Sequence, residues 1–578
     1  MRPTTGGGAV DCASVWGRFG VCSDRVGRQN ATPEVRRHFA GFPVQARTNG
    51  SPGMDAARFS PPPPLSVRPV SPLPGSEPDR TPSVPRGTFR SRVGHSRHAS
   101  VAASRWAPAM RVGNASRMVR EPGGSVPTAH LVGVCGSGMQ ALAELLLGLG
   151  WHVSGSDRCV SKEAASTLER RGLRIHQGHK STQLPHHADV LVYSQAIAPD
   201  NVERVRASHC GIPQLSYSQM LGRLMSERTG ISIAGTHGKS TTTAMTASLL
   251  TSAGLAPSVV VGARLIDRDV GGWAGAGDLL VVESCEYRRS FLDLSPRYAV
   301  ITGIESDHFD CYESLGEVTA AFAQFAASVD SSGVLLVAAD CPAAVEVSGQ
   351  ATARVRTFGR RPEADWWAAD VRRTVSGSRF ELFFRGEFLT EITVPVPGRH
   401  NVDNALAAAA MACELGVDPQ LVCEGLGGYA GIRRRFQRLG SWRGVAVVDD
   451  YAHHPTAVRA TLETARETFG RRRLWCAFQP HQVSRTLALL DEFASSFQAA
   501  DRVLLLPVFA AREDDRQAEA VSRELAKRIG RSGSGTGCRF APSLDRLVET
   551  LDHDTRPGDV LITMGAGDID QVPHEFTR

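Results

Sequence analysis

The segment that most constrains the fold is a strand, a glycine-containing loop and a helix that follow one another directly. The apolar run 231–234 predicts a buried strand, and a helix is predicted to start near Thr242. Such a loop closes backbone N–H groups around phosphate oxygens, and the helix N-terminus adds a favourable dipole. We therefore expect an α/β chain with a parallel sheet and a phosphate-binding loop formed by Gly235, Thr236, His237, Gly238, Lys239, Ser240 and Thr241.

The residue types in this loop predict an ATP site. Lys239 is expected to neutralise the β and γ phosphates, and the hydroxyl of Ser240 is expected to bind Mg²⁺. Ile233 stands where the usual phosphate-loop pattern has its first glycine, so we interpret the loop as a shortened variant. The alternative is a glycine turn before a helix with an incidental lysine.

Positive charge is concentrated at the N-terminus. Residues 1–120 contain 18 Arg and no Lys against 6 Asp and Glu, whereas the whole chain has a net charge of only +6. The remaining residues are therefore net acidic, which argues against a general role in nucleic-acid binding. No run of residues is long and apolar enough to predict a membrane span.

The 578 residues are too many for one core and predict several domains. Residues 1–125 are rich in Pro, Arg, Ser and Gly, and we expect a disordered leader. Alternatively, translation starts later, since Met110 and Met118 precede the first strand, or the leader is a basic tail that binds membrane or nucleic acid. Three α/β domains are expected beyond it, over 126–228, 229–431 and 432–578.

The 12 cysteines contain no CxxC pair, which argues against a zinc site and a disulfide framework. The N-terminus lacks the short apolar core of a signal peptide. Both observations favour a reducing compartment, so we predict a cytoplasmic protein.

The sequence GTHGKSTT after an apolar strand is similar to the nucleotide loop of the Mur ligases, enzymes that build peptidoglycan. This resemblance implies three domains: a Rossmann-like domain for a UDP-sugar, a central ATPase domain and a Rossmann-like C-terminal domain. It also implies that Glu283, which ends LLVVE, and His308, within TGIESDH, bind metal together with Ser240. Taken alone, Glu283 reads as a strand-end carboxylate in a salt bridge.

Further motifs of the family follow in the same order along the chain. Asn401 and Asn404, in PGRHNVDN, resemble the amides that face adenine, before a helix rich in Ala and Leu. The resemblance implies catalytic roles for Arg434 and Arg435, ATP binding by Asp450, and an amino-acid-binding region at Tyr451, His453 and His454. Taken alone, these motifs read as a helix cap and a solvated basic turn.

The first α/β block has the glycine-rich turn of a nucleotide site. An NAD site is the alternative, but Cys135 replaces the middle glycine of its usual fingerprint. GVCGSGM, SGSD and SQAI resemble the alanine-adding members of the family, which implies UDP-sugar binding by Gly133, Gly136, Ser137, Gly138, Met139, Ser156, Asp157, Ser194, Ala196 and Ile197.

Five residues depart from the pattern of these members. Cys285 and Arg288 interrupt the usual EADESD, and Ala457, Gln482 and Arg512 replace a Glu, an Arg and a Gly in the C-terminal block. These departures concern the grip on sugar and amino acid, whereas the predicted nucleotide and metal positions are intact.

The resemblance implies an ATP-dependent ligase that joins L-alanine to the lactyl carboxylate of UDP-N-acetylmuramate through an acyl phosphate. Its expected partners are these small molecules, with no nucleic acid and no stable membrane insertion, and it is expected to be a monomer or homodimer. The first alternative is a recycling ligase that adds a tripeptide, although its usual tyrosine and double-proline segment is absent from DRCVSKEAAS. The second is a non-catalytic nucleotide-binding scaffold.

Overall fold

The computed structural model describes residues 126–511, 513–531 and 535–576. The predicted leader, residues 1–125, and the departure at Arg512 lie outside the described residues. The chain forms three sheets in succession, each packed with helices, as expected for an α/β protein.

The first sheet has five parallel strands in the order β3-β2-β1-β4-β5. Its strands are β1 (Thr128–Val132), β2 (His152–Asp157), β3 (Arg174–Gln177), β4 (Val190–Tyr193) and β5 (Gln214–Ser216), with helices α1 (Ser137–Gly148), α2 (Lys162–Glu169), α3 (Val202–His209) and α4 (Tyr217–Ser226). Every residue of β1 is buried, as is typical of a strand covered on both faces. This order is that of a Rossmann-like half, and its crevice lies beside β1 and β4.

The second sheet has ten strands in the order β15-β14-β13-β12-β11-β10-β6-β9-β7-β8. They are β6 (Thr229–Ala234), β7 (Ser258–Val260), β8 (Gly272–Trp273), β9 (Leu279–Glu283), β10 (Tyr298–Ile301), β11 (Val334–Ala338), β12 (Arg354–Gly359), β13 (Trp366–Thr374), β14 (Gly377–Phe384) and β15 (Glu387–Val394). The helices are α5 (Lys239–Ser252), α6 (Leu315–Ala327), α7 (Pro342–Ser348), α8 (Arg399–Glu414) and α9 (Pro419–Gly427). Strands β6, β9 and β10 are adjacent and parallel, so their carboxyl ends meet at one edge.

The third sheet has six strands in the order β16-β17-β21-β18-β19-β20, of which only β16 is antiparallel to its neighbour. The strands are β16 (Gln437–Trp442), β17 (Val445–Asp450), β18 (Leu474–Gln479), β19 (Arg502–Leu505), β20 (Gly537–Phe540) and β21 (Val560–Gly565). The helices are α10 (Pro455–Phe469), α11 (Val483–Ala488), α12 (Leu490–Ser496), α13 (Ala518–Arg531), α14 (Leu544–Asp554) and α15 (Val572–Phe576).

Two helices start earlier than the sequence predicts. Helix α5 begins at Lys239 and not near Thr242, because Gly238 adopts a φ of 80° and serves as its N-cap. Helix α8 begins at Arg399 after Gly398, whose φ is 108°, so Asn401 lies in its first turn. Glycine reaches these left-handed conformations without the steric cost of a Cβ. Lys239 and Ser240 are therefore first-turn residues whose N–H groups have no carbonyl partner within the helix.

Among the described residues, none of the helices combines the length and the apolar composition needed to cross a bilayer.

Candidate active site

The phosphate loop lies at the carboxyl end of β6 and is held by glycines that tolerate no side chain. A Cβ at Gly238 would overlap Oδ1 of Asn404, and one at Gly235 would overlap Thr302. The Thr236 hydroxyl donates to the carbonyl of Glu305 at 3.3 Å and accepts from its N–H at 2.9 Å. The loop is thereby fixed against the segment that follows β10.

Lys239 and Glu286 form an ion pair at the centre of the site. Nζ of Lys239 lies 2.9 Å from Oε2 of Glu286, and their side chains are 12% and 2% exposed. The ammonium also donates to the carbonyls of Gly235 and Thr236. Burial by itself would raise the pKa of Glu286, but the charge of Lys239 and a hydrogen bond from His308 outweigh it and lower that pKa. Both partners are therefore charged at neutral pH.

His308 lies on the other side of the same carboxylate. Its Nε2 is 3.6 Å from Oε1 of Glu286. Burial lowers the pKa of His308, but hydrogen bonds with Cys285 and Glu286 raise it well above its usual value. Cys285, Glu286 and His308 bring one sulfur, one carboxylate oxygen and one imidazole nitrogen within 4.8 Å of one another.

Glu283 contacts Ser240. The Ser240 hydroxyl donates to Oε1 of Glu283 at 2.8 Å, and the Gly262 N–H donates to Oε2. Of the three predicted metal ligands, Ser240 and Glu283 therefore contact each other, whereas His308 contacts Glu286, which was not among them and which also pairs with Lys239. A hydroxyl and a carboxylate are hard oxygen donors of the kind that Mg²⁺ prefers.

His237 and His454 connect the phosphate loop to the third sheet. Their ring centroids are 4.7 Å apart, and Nε2 of His237 lies 3.4 Å from Oε2 of Glu305. Thr456, at the start of α10, donates to the same oxygen at 2.8 Å. Hydrogen bonding to His237 is the main cause that lowers the pKa of Glu305 to about 2, while burial and the charge of His237 lower the pKa of His454 to about 4.

A buried ion pair makes a second connection between the same two sheets. Nε of Arg485, on α11, donates to Oδ1 of Asp307 at 2.6 Å, and the two side chains are 2% and 8% exposed. The N–H of His308 donates to that oxygen at 2.7 Å. Burial alone would raise the pKa of Asp307, but the charge of Arg485 lowers it. The pair therefore fixes the backbone of a predicted metal ligand from the opposite domain.

The two predicted adenine-binding amides lie on α8 beside the phosphate loop. Nδ2 of Asn404 donates to Oδ1 of Asn401 at 3.2 Å, and Thr242 donates to Oδ1 of Asn404 at 3.2 Å. Nδ2 of Asn401 donates to the Pro397 carbonyl at 2.6 Å. Both amides are buried, and Asn404 lies next to Gly238 of the loop.

Arg434 and Arg435 have different surroundings although both lie over the ring of Tyr451, at 5.1 and 5.3 Å from its centroid. Arg434 donates to Asp449 at 3.1 Å and to the Gly565 carbonyl at 2.7 Å. His400, on α8, lies near Arg435. Burial is the main cause that lowers the pKa of its imidazole, and the positive charge of Arg435 lowers it further. Arg434 thus braces the third sheet, whereas Arg435 faces the central domain.

Both carboxylate oxygens of Asp450 accept hydrogen bonds from residues around the third sheet. It accepts from the N–H groups of Phe436 at 2.7 Å and Ala452 at 2.8 Å, and from the Thr461 hydroxyl at 3.2 Å. His453 interacts with the Tyr451 carbonyl at 2.8 Å through Nδ1, and burial together with the charge of Arg485 holds its pKa well below the usual value.

The predicted UDP-sugar residues gather at the carboxyl ends of β1, β2 and β4. Gly133, with a φ of 83°, leaves no room for a Cβ beside Ser194 and Ile197. The Ser194 hydroxyl accepts from the N–H of Ala196 at 3.4 Å. Oδ2 of Asp157 accepts from the N–H of Cys135 at 2.9 Å. This arrangement closes a glycine turn between two strand ends.

The first turn of α1 supplies the remaining predicted residues of this site. Gly136 is the N-cap, and Ser137, Gly138 and Met139 open the helix. Met139 packs in the core with 3% exposure, so only its backbone can reach a ligand. Ser156 is buried; its hydroxyl donates to Glu203, and its carbonyl accepts from the N–H groups of Gly133 and Val134.

Glu286, Asp307 and Arg485 were not assigned roles in the sequence analysis. All three are buried; Glu286 pairs with Lys239 and His308, Asp307 accepts from the N–H of His308, and Arg485 pairs with Asp307. The signal available in the sequence was position, since Glu286 and Asp307 lie in the segments that follow β9 and β10, where other candidate residues lie.

The sequence matches models of a known protein family and resembles individual known proteins. Three family models cover the chain in order: the Mur ligase family catalytic domain at residues 128–229, the Mur ligase middle domain at 233–412, and the Mur ligase glutamate ligase domain at 434–567. UDP-N-acetylmuramate–L-alanine ligase of Salinibacter ruber is 41% identical over 79% of this chain and 95% of its own length. The chain belongs to the Mur ligase family.

Other members of the Mur ligase family give the same result. The UDP-N-acetylmuramate–L-alanine ligase of Desulfitobacterium hafniense is 40% identical over 77% of this chain and 98% of its own. The crystal structure of the UDP-N-acetylmuramate–alanine ligase from Thermotoga maritima aligns with a TM-score of 0.66 at 26% identity, covering 78% of this chain and 98% of that one. The three sheets are thus the three-domain Mur ligase fold.

Proposed function

We propose that the chain is an ATP- and Mg²⁺-dependent ligase that joins L-alanine to the lactyl carboxylate of UDP-N-acetylmuramate. The observation that carries this proposal is the 41% identity to an L-alanine-adding ligase over 95% of that relative, together with an intact phosphate loop. We further propose that residues 126–228 bind the UDP-sugar, 229–431 bind ATP and 432–578 bind the amino acid. The leader, 1–125, takes no part in the reaction.

The first step transfers the γ-phosphoryl group of ATP to the lactyl carboxylate, which gives an acyl phosphate and ADP. The amine of L-alanine then attacks the acyl carbon, and phosphate leaves. Neither step needs a protein nucleophile, so the protein contributes alignment and charge. Lys239 supplies that charge at the start of α5, where the N–H groups of Ser240 and Thr241 also point towards the phosphates.

Mg²⁺ fits the donors at the ends of β6 and β9. Ser240 and Glu283 converge within 2.8 Å and offer hard oxygen atoms, so we assign them to one ion, and His308 with Glu286 to a second. Bound there, the ions would neutralise phosphate charge and orient the polyphosphate. Lys239 would exchange Glu286 for phosphate oxygens when ATP enters.

The C-terminal domain completes the site across the interface with the central domain. Arg435 is proposed to reach the nucleotide beside His400, Asn401 and Asn404. Arg434 and Asp450 are proposed to position the end of β17, which directly precedes Tyr451. His454 lies beside His237 of the phosphate loop and His453 lies beside Tyr451 and His481, and both are proposed to line the L-alanine site. Burial is the main cause that lowers the pKa of both imidazoles, so both are neutral at pH 7 and can accept a hydrogen bond from the substrate.

The turn between β1 and α1 is proposed to hold the UDP group. The N–H groups of Ser137, Gly138 and Met139 have no carbonyl partner within the helix and are proposed to bind the diphosphate, while the loop with Ser194, Ala196 and Ile197 packs beside Gly133. Gly133 and Gly136 keep the turn narrow, and Asp157 fixes it through the N–H of Cys135. No NAD is needed in this assignment. The enzyme is proposed to act in the cytoplasm as a monomer or homodimer.

Phosphate release with UDP-N-acetylmuramate and ATP tests the proposal. L-alanine should support turnover, whereas glycine and L-serine should be weaker and the tripeptide L-alanyl-γ-D-glutamyl-diaminopimelate inactive. Preferential use of the tripeptide would identify a recycling ligase instead. ATP binding without turnover on any acceptor would identify a nucleotide-binding scaffold.

A further inference from the structure

Two consecutive arginines lie in a strained conformation between the predicted UDP-sugar site and the phosphate loop. Arg288 has φ 50° and ψ 31°, and Arg289 has φ 57° and ψ 23°. Left-handed geometry costs a non-glycine residue roughly 1–2 kcal/mol. Strain of this kind is retained where the surroundings enforce it, most often at functional sites.

The surroundings of these arginines are rigid on the side of the phosphate loop. Glu286, two residues before Arg288, is buried against Lys239. The carbonyl of Glu286 accepts from the N–H of Arg289 at 2.8 Å and from the Tyr312 hydroxyl at 2.6 Å. Phe291, just beyond the turn, is 1% exposed and stacks on Phe325 at 4.9 Å. The turn is therefore anchored at both ends, and the two arginine side chains project from it into solvent.

Arg288 extends towards the first sheet. Its Nη1 donates to the carbonyl of Gln195 at 3.2 Å. Gln195 lies between Ser194 and Ala196, in the loop that packs against the Gly133 turn. The guanidinium thus stands at the mouth of the crevice that we assign to UDP.

The positive charge at this position is not compensated. Among the described residues, no carboxylate lies within ion-pair distance of Arg288 or Arg289, whereas Arg264 pairs with Glu144 and Arg485 pairs with Asp307. Two adjacent guanidinium groups without a carboxylate partner attract an anion that carries several oxygens.

We propose that Arg288 and Arg289 bind the diphosphate of the sugar nucleotide, at the point where the bound nucleotide extends from the first domain to the central domain. The inference rests on the proposed function, since it requires a UDP-sugar in the crevice beside β1 and β4. Diphosphate is favoured over the lactyl carboxylate because Arg288 is held by the UDP-side loop, whereas the carboxylate must reach the phosphate loop at Lys239.

The test compares the binding of UDP, UDP-N-acetylglucosamine and UDP-N-acetylmuramate by calorimetry, without ATP. Arg288→Gly and Arg289→Gly suit the left-handed backbone and remove the charge. Each substitution should weaken the binding of all three nucleotides by on the order of tenfold, since a charge-assisted hydrogen bond contributes about 1.5–3 kcal/mol. Arg288→Lys should recover part of the affinity, and added salt should reduce the difference between parent and variant.

Arg361→Gly is the matched control, because it removes an arginine side chain that is 80% exposed from the same domain. It should bind all three nucleotides as the parent does. The proposal is overturned if the Arg288 and Arg289 variants bind UDP as tightly as the parent. It is also overturned if only the binding of UDP-N-acetylmuramate is weakened, because the two arginines would then bind the lactyl carboxylate. A parent that binds none of the three nucleotides would instead overturn the proposed function.

Thermal unfolding separates binding from folding in these variants. Relief of left-handed strain should leave the melting temperature unchanged or higher, because glycine adopts this backbone freely. A lower melting temperature with unchanged UDP affinity would make Arg288 a tether between domains and would contradict the proposal.

Discussion

At the scale of single residues, Lys239 carries the sharpest expectation. Lys239→Ala removes the positive charge of the phosphate loop and leaves Glu286 buried with His308 as its remaining partner. We expect ligation to fall by on the order of 10²–10³, the usual effect of removing a group that stabilises developing charge. The rate of phosphate release by the folded variant measures this fall in ligation. More than a tenth of parental activity would contradict the phosphate-loop assignment.

Glu283 and His308 are expected to act as metal ligands and not as general bases, since transfer of phosphate to an ionised carboxylate removes no proton. Glu283→Gln and His308→Ala should raise the Mg²⁺ concentration needed for half-maximal activity, and high Mg²⁺ should restore part of the rate. Titration of activity and of Mg²⁺·ATP binding against Mg²⁺ gives both quantities. An inactive His308→Ala variant that binds Mg²⁺ and ATP normally would contradict the ligand role.

At the scale of secondary-structure elements, the junction of β6 and α5 depends on one glycine. Gly238→Ala places a methyl group against Oδ1 of Asn404 in a backbone with φ of 80°. We expect loss of ATP binding and a destabilisation of about 1–3 kcal/mol, measured by calorimetry and by denaturant unfolding. Gly254→Ala is the control, because its φ is 77° but its Cβ meets no atom within 4 Å. Equal ATP affinity in the two variants would contradict the prediction, because it would show that the contact with Asn404 has no effect on ATP binding.

The same elements show what could be read from the sequence. The apolar run LLVVE, which ends in Glu283, predicts β9 with its observed bounds, since a strand buried on both faces is continuous in its hydrophobicity. The starts of α5 and α8 were predicted too late, because they depend on the conformations of Gly238 and Gly398. The partners of Lys239 and of Asp307 could not be predicted, because they join residues 47 and 178 positions apart.

At the scale of the whole molecule, the pair of Asp307 and Arg485 joins two domains. Arg485→Met leaves a buried carboxylate unpaired and should destabilise the fold by about 3–5 kcal/mol, while Asp307→Asn with Arg485→Met should recover much of this loss. Denaturant unfolding at pH 7 measures both variants. Equal stability of the single and double variants would show that the two charges are not coupled.

The pH dependence of that coupling has a defined sign. The pKa of Asp307 is lower in the folded chain than in the unfolded chain, so its ionised form stabilises the fold at pH values above the unfolded pKa of about 3.9. Below that value the unfolded state takes up a proton and the contribution falls. The difference in unfolding free energy between the parent and Asp307→Asn should therefore be constant from pH 6 to 8 and shrink below about pH 4. A difference that grows on acidification would contradict it.

The leader provides the last prediction at this scale. Deletion of residues 1–117 should leave turnover and melting temperature nearly unchanged, because a Pro- and Arg-rich segment of this composition offers little apolar surface to a core. Comparison of the full and shortened chains by phosphate release and calorimetry measures it. Loss of folded, active protein would show that the leader packs on the enzyme.

The clasp between Lys239 and Glu286 has a thermodynamic consequence for the arrival of ATP. The loop lysine is already desolvated and held by two loop carbonyls and a buried carboxylate, so little conformational entropy remains to be lost on binding. ATP must instead displace a carboxylate, which makes binding an exchange of one anion for another. A singly charged anion gains nothing in that exchange, whereas a polyphosphate with its cations replaces the lost attraction several times over. The ion pair of Lys239 and Glu286 thereby favours ligands of high charge density, independently of any contact with the base.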